Sequence, residues 1–86
     1  MSPTIPVRIM VLESWHEIPL QLDPGTAVSE AKHRALLAAH AAGQPDEYLV
    51  KYRGAEVPEG STTVQQAGIV PNANLVVLRR RRQAVR

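Results

Sequence analysis

The stretch IPLQLDPGTAVSEAK, residues 18–32, decides the architecture. Ile18, Leu20 and Leu22 alternate with Pro19 and Gln21, which gives an extended segment one apolar face. Pro19 has no amide to donate, so this strand belongs at a sheet edge or with that position turned outward. Asp23-Pro24-Gly25 are turn residues, and Thr26 stands where a helix cap is wanted. Val28 to Ala42 holds six alanines and no glycine or proline, so a helix is predicted over 28–42, stopped by Gly43 and Pro45. Its stripe is Val28, Ala31, Ala35, Ala39 and Ala42, small enough for close approach to a sheet. Leu36 and Leu37 cannot both sit at the centre of that stripe.

Outward from this unit the chain is strand-rich. VRIMVL (7–12) is a strand signal, with Val7, Ile9 and Val11 on one face and Arg8, Met10 and Leu12 on the other. ESWH (13–16) suits the hairpin connection between the two strands. Downstream, YLVKYR (48–53) is predicted as a third strand with Val50 and Tyr52 inward. Residues 55–62 are expected to be irregular. TVQQAGI (63–69) suits one helical turn leading to an apolar anchor at Ile69, and LVVL (75–78) is the last strand. The expected core is Val7, Ile9, Val11, Ile18, Leu20, Leu22, Val28, Val50, Tyr52, Val64, Ile69, Leu75 and Val77, with Tyr52 its largest side chain.

At 86 residues the chain has room for one small domain. There is no cysteine, which excludes a disulfide framework, a thiolate zinc site and a cysteine nucleophile. No apolar run approaches the roughly 20 residues of a membrane span. The opening MSPTIPVRIM lacks the regions of a signal peptide, so a cytoplasmic location is the expectation. The formal charge of +2 joins unlike parts: residues 1–78 carry a net −3, and residues 79–86 carry five arginines. The layout is a flexible lead-in (1–6), one domain (7–78) and a basic C-terminal tail (79–86).

Three segments together resemble a known family. They are Ile18 to Lys32, the run YRGAEVPEGSTTVQQAGI (52–69), and NLVVLRRRR (74–82). In order and in turn chemistry they are similar to the ubiquitin-like β-grasp proteins, over about residues 7–82. The same pattern resembles the small ubiquitin-like proteins of bacterial type VII secretion systems. The resemblance implies an α+β fold, a mixed four- to five-stranded sheet crossed by one α-helix. It implies a small bacterial ubiquitin-like protein, a protein modifier or docking module that is not an enzyme. Its partners would be proteins, namely activating, conjugating or processing enzymes. A non-conjugated accessory protein of a type VII-like secretion system is the alternative within the fold. Two departures stand out. Conjugated members end in Gly-Gly, whereas these residues end Gln83-Ala84-Val85-Arg86. Lys51 also stands where the family's recognition patch has an isoleucine.

The candidate partner-binding residues are Met10, Leu12, Trp15, Leu49, Lys51, Val76 and Leu78. All but Trp15 lie on strands and face away from the helix, and a large contiguous apolar face marks an interaction surface. Trp15, the single tryptophan, is a candidate anchor in the hairpin. The basic segment Arg79, Arg80, Arg81, Arg82, Gln83, Ala84, Val85 and Arg86 is the candidate for tail docking or processing. Arginine runs also bind phosphates, but no aromatics interleave here to stack on bases, so nucleic acid is the less favoured partner. His16, His33 and His40 have no metal-ligand spacing, and no nucleophile–base pairing is visible. No catalytic residue, metal or cofactor is expected. Nothing signals an oligomeric state.

Overall fold

The computed structural model describes residues 4–41 and 43–80. The strands are β1 (Ile5–Val11), β2 (His16–Leu22), β3 (Tyr48–Tyr52), β4 (Ala55–Glu56) and β5 (Ala73–Arg79), and the helix is α1 (Val28–Ala38). They form one five-stranded sheet in the order β2-β1-β5-β3-β4. The central pair, β1 and β5, is parallel, and every other pairing is antiparallel. α1 covers one face. β2 lies at the sheet edge, where Pro19 needs no outward ladder partner.

Several boundaries differ from the sequence reading. β1 begins at Ile5, inside the expected lead-in, because Ile5 and Pro6 pair with Leu22 and Gln21. β5 extends through Arg79, which pairs with Tyr48. The irregular stretch begins with the two-residue strand β4, joined to β3 through Arg53 and Gly54, both at positive φ. That is the geometry of a tight two-residue hairpin.

α1 stops earlier than Gly43. His40 takes a left-handed conformation, φ 54°. The amides of His40 and Ala41 then donate to the carbonyls of Leu37 and Leu36, at 3.1 and 3.0 Å. This is a Schellman closure, and it uses histidine where the sequence had offered glycine. Nor does Thr26 cap the helix. Its Oγ1 accepts the Asp23 amide, while Ala27 holds the cap position without a side-chain bond. The first helical amide, of Val28, donates instead to the Thr62 carbonyl at 2.9 Å. Thr63 and Gln66 form a reciprocal capping box, so residues 63–69 make the single turn that buries Ile69.

The core is aliphatic apart from Tyr48, which is fully buried. Tyr48 and Tyr52 share a face of β3, but only Tyr48 is enclosed; Tyr52, like Ile18 and Leu20 elsewhere on the sheet, is partly buried at the margin of the core. Leu36 is buried, and Leu37 is 63% exposed. Among the described residues Lys32 is the buried charged side chain, 3% exposed. Its Nζ donates to the Tyr48 carbonyl at 3.0 Å and pairs with Glu59 Oε1 at 2.7 Å. Both partners satisfy an ammonium that would otherwise be prohibitively costly to bury.

Candidate functional site: the outer sheet face and the exit of the last strand

Strand register brings most of the expected partner-binding residues together. Met10 is opposite Val76, and Val76 is opposite Lys51, so the three form one row across β1, β5 and β3. Leu49 and Leu78 are opposite each other in the next row. Leu12 extends that end, its amide donating to the Val77 carbonyl at 3.0 Å. These positions alternate with the buried Ile9, Val11, Val50, Leu75 and Val77, and therefore lie on the face that the helix leaves uncovered. Each apolar member is half-buried rather than fully open, because neighbouring strands screen one another's flanks. Glu17 opposite Met10 and Glu56 opposite Lys51 close the central row with carboxylates.

Trp15 stands at the tip of the β1–β2 hairpin, 74% exposed and at φ 57°. Positive φ is uncommon for so bulky a residue, and the turn imposes it, with the Ser14 and Trp15 amides reaching back to Val11 and Leu12. His16, His33 and His40 are all exposed. Among the described residues no group of His, Asp and Glu could hold a metal ion. Of the expected tail, Arg79 and Arg80 are described, while Arg81, Arg82, Gln83, Ala84, Val85 and Arg86 lie outside the described residues.

The two described tail arginines are held against the domain. Arg79 Nη2 lies 2.8 Å from Glu13 Oε2 and donates to the Tyr48 hydroxyl at 3.0 Å, while Nη1 lies 3.2 Å from Glu47 Oε1. Its guanidinium also sits over the Tyr48 ring, 5.0 Å from the centroid. The Arg80 amide donates to the Glu47 carbonyl at 2.7 Å, and its side chain reaches the Asp46 carbonyl and Glu56 at 3.0 and 3.3 Å. Glu59 Oε2 is 3.7 Å from Arg80 Nη2, an ion pair too long to be a hydrogen bond. The acidic surplus of the domain is thus gathered around the exit of β5. The sequence reading had not singled out Glu13, Glu47, Glu56 or Glu59.

The Tyr48 hydroxyl donates to Glu13 Oε1 at 2.5 Å. This bond, with the Arg79 guanidinium second, holds the Glu13 carboxyl below its ordinary 4.5. Burial, then the Glu13 carboxylate, pushes the Tyr48 phenol above 10.0. A carboxyl lowered on folding favours the fold above its ordinary value and loses that contribution as pH falls through the folded value. Tyr48→Phe is therefore expected to move the Glu13 midpoint up toward 4.5. Carboxyl-carbon NMR titration measures it, and an unmoved midpoint would show that the phenol does not set it.

Comparison with solved structures agrees with this layout. The chain superposes on the ubiquitin of Caldiarchaeum subterraneum with a TM-score of 0.76 at 15% identity, over 94% of this chain and 99% of that one. The fold is the ubiquitin-like β-grasp. A de novo designed protein based on ubiquitin gives a TM-score of 0.77 at 17% identity, over 96% of each chain. No family model and no curated protein sequence matches the chain. Among the described residues no helix is long and apolar enough to cross a membrane.

Proposed function

We propose that this chain is a small bacterial ubiquitin-like protein, without enzymatic activity of its own, that works in the cytoplasm as a protein modifier or docking module. Dedicated conjugation or processing enzymes engage the outer sheet face, and residues 79–86 are the segment they dock or process. The observation that carries the reading is the row Met10–Val76–Lys51 beside Leu49 and Leu78, a half-open apolar surface on the face without a helix. A phosphate-binding role for the basic segment has less support, because the Arg79 and Arg80 guanidiniums are already turned toward carboxylates of the domain.

The test is mass analysis of the chain recovered from its native host. The expected result is a trimmed C-terminal segment, or peptides in which the chain is joined to another protein's amine or hydroxyl. Only unlinked, untrimmed chain would overturn the modifier role. Stable co-purification with a membrane complex, without covalent linkage, would favour the accessory role in a type VII-like secretion system. For any partner so recovered, the double variant Leu49→Ala/Leu78→Ala is expected to weaken binding at least about tenfold, equivalent to ~1.4 kcal/mol. Undiminished binding by the folded variant would remove the outer face from the interface.

A further inference from the structure

The charges at the end of β5 form two tiers. In the inner tier Arg79 is held by Glu13 of the β1–β2 hairpin and by Glu47 of the 3₁₀ turn Pro45–Glu47, at 2.8 and 3.2 Å. In the outer tier the Arg80 amide donates to the Glu47 carbonyl, and its side chain donates to the Asp46 carbonyl and the Glu56 carboxylate. The backbone makes room for this arrangement. Gly43 stands at φ 94°, and a Cβ there would overlap Glu47 Oε1, the atom that meets Arg79 Nη1. The same Oε1 accepts the Gln44 amide at 3.3 Å, which fixes its position. The paired side chains are a third to a half exposed, so each ion pair is individually weak and screened by salt. Together they tie the exit of β5 to the hairpin, the 3₁₀ turn and β4, a contact that is firm but reversible.

We propose that these carboxylates form a clasp that withholds the peptide bonds after Arg79 and Arg80 from hydrolysis, and so sets the inner limit of C-terminal processing. A hydrolase that reads arginine must take the guanidinium into an acidic pocket and draw the backbone out as an extended strand. Both groups are already engaged here. The guanidiniums face the domain's own carboxylates, and the backbone is held by the pairing of Arg79 with Tyr48 and by the Arg80 amide. Hydrolysis places the hydroxyl of water on the arginine carbonyl carbon and its proton on the departing nitrogen, so the enzyme must first reach that carbonyl. Opening the clasp breaks exposed ion pairs and leaves the core packed, so it is a local event. An enzyme whose own carboxylates compete for the arginines drives it. The clasp is a property of the folded chain alone, whereas its place in processing rests on the function proposed above.

The experiment digests the full chain with trace trypsin near neutral pH and follows the products by intact mass. Trypsin cuts after arginine, so it reads the bonds after Arg79 and Arg80 directly. The bond after Arg34, within α1, reports opening of the whole domain. Glu13→Gln/Glu47→Gln/Glu56→Gln keeps the side-chain shapes and removes the charges. This variant is expected to be cut after Arg79 and Arg80 at least about tenfold faster than the parent, with the Arg34 bond unchanged within about twofold. Sodium chloride at about 0.5 M should accelerate cleavage after Arg79 and Arg80 in the parent and not in the variant. Rates are normalised to trypsin's turnover of a small arginine ester. Equal rates in parent and variant overturn the clasp, as does a parent rate indifferent to salt. An acceleration shared by the Arg34 bond also overturns it, because it means general destabilisation. In chain recovered from the host, trimmed ends are expected beyond Arg80. A host-made end at Arg79 or Arg80 overturns the limit on processing and leaves processing itself standing.

Discussion

Glu59→Ala is expected to destabilise the domain by about 3 kcal/mol or more, the usual cost of stripping one partner from a buried pair. At 4–8 °C per kcal/mol, that lowers the thermal midpoint of a domain this size by roughly 12–24 °C. The Lys32 side chain is 4% exposed and that of Glu59 14%. Without Glu59 the ammonium keeps the Tyr48 carbonyl and no described counter-charge. The physical signature is in the second substitution. Lys32→Met together with Glu59→Ala removes the charge as well as its partner, and is expected to recover most of the loss. Thermal and urea unfolding of the three proteins measure both effects. A single variant within about 0.5 kcal/mol of the parent, the ordinary range for surface positions, would show that Glu59 does not support the buried lysine.

Tyr48→Ala should cost about 3–5 kcal/mol, the range for emptying a buried aromatic site. Tyr48 is fully buried in a core that otherwise holds aliphatic side chains, so no other large ring can move into the cavity. Tyr48→Phe keeps the ring and loses the hydroxyl bonded to Glu13 and Arg79, at an expected cost of about 1 kcal/mol. The ratio of the two separates packing from hydrogen bonding. Equal destabilisation by Ala and Phe would mean that the hydroxyl network, and not the ring, carries the contribution of Tyr48. Chemical denaturation curves with matched slopes suffice to compare them.

Much of the architecture was legible because it is local. Alternation in Ile18–Leu22, the turn at Asp23–Gly25 and the alanine-rich run that follows each depend on neighbours along the chain. The outer face was legible for the same reason, since strand parity assigns Met10, Val76 and Lys51 to one side once the strands are placed. What failed locally were details in which two plausible residues compete. His40 closes the helix ahead of Gly43, and the Thr62 carbonyl takes the amide that Thr26 was expected to serve. Position along β3, which parity does not encode, put Tyr48 inside and left Tyr52 at the margin.

The sequence by itself determined the elements, their order, the uncovered apolar face and the basic segment, because periodicity and turn chemistry are written in consecutive residues. Only the tertiary structure decided where the charges go. Glu13 meets Arg79 across 66 positions, and Lys32 meets Glu59 under a loop that looked merely irregular. Electrostatic pairing depends on distances of a few ångströms between groups far apart in the chain, and no local pattern encodes them. The tertiary structure therefore converts two of the five tail arginines from a free cationic run into a clasp on the domain.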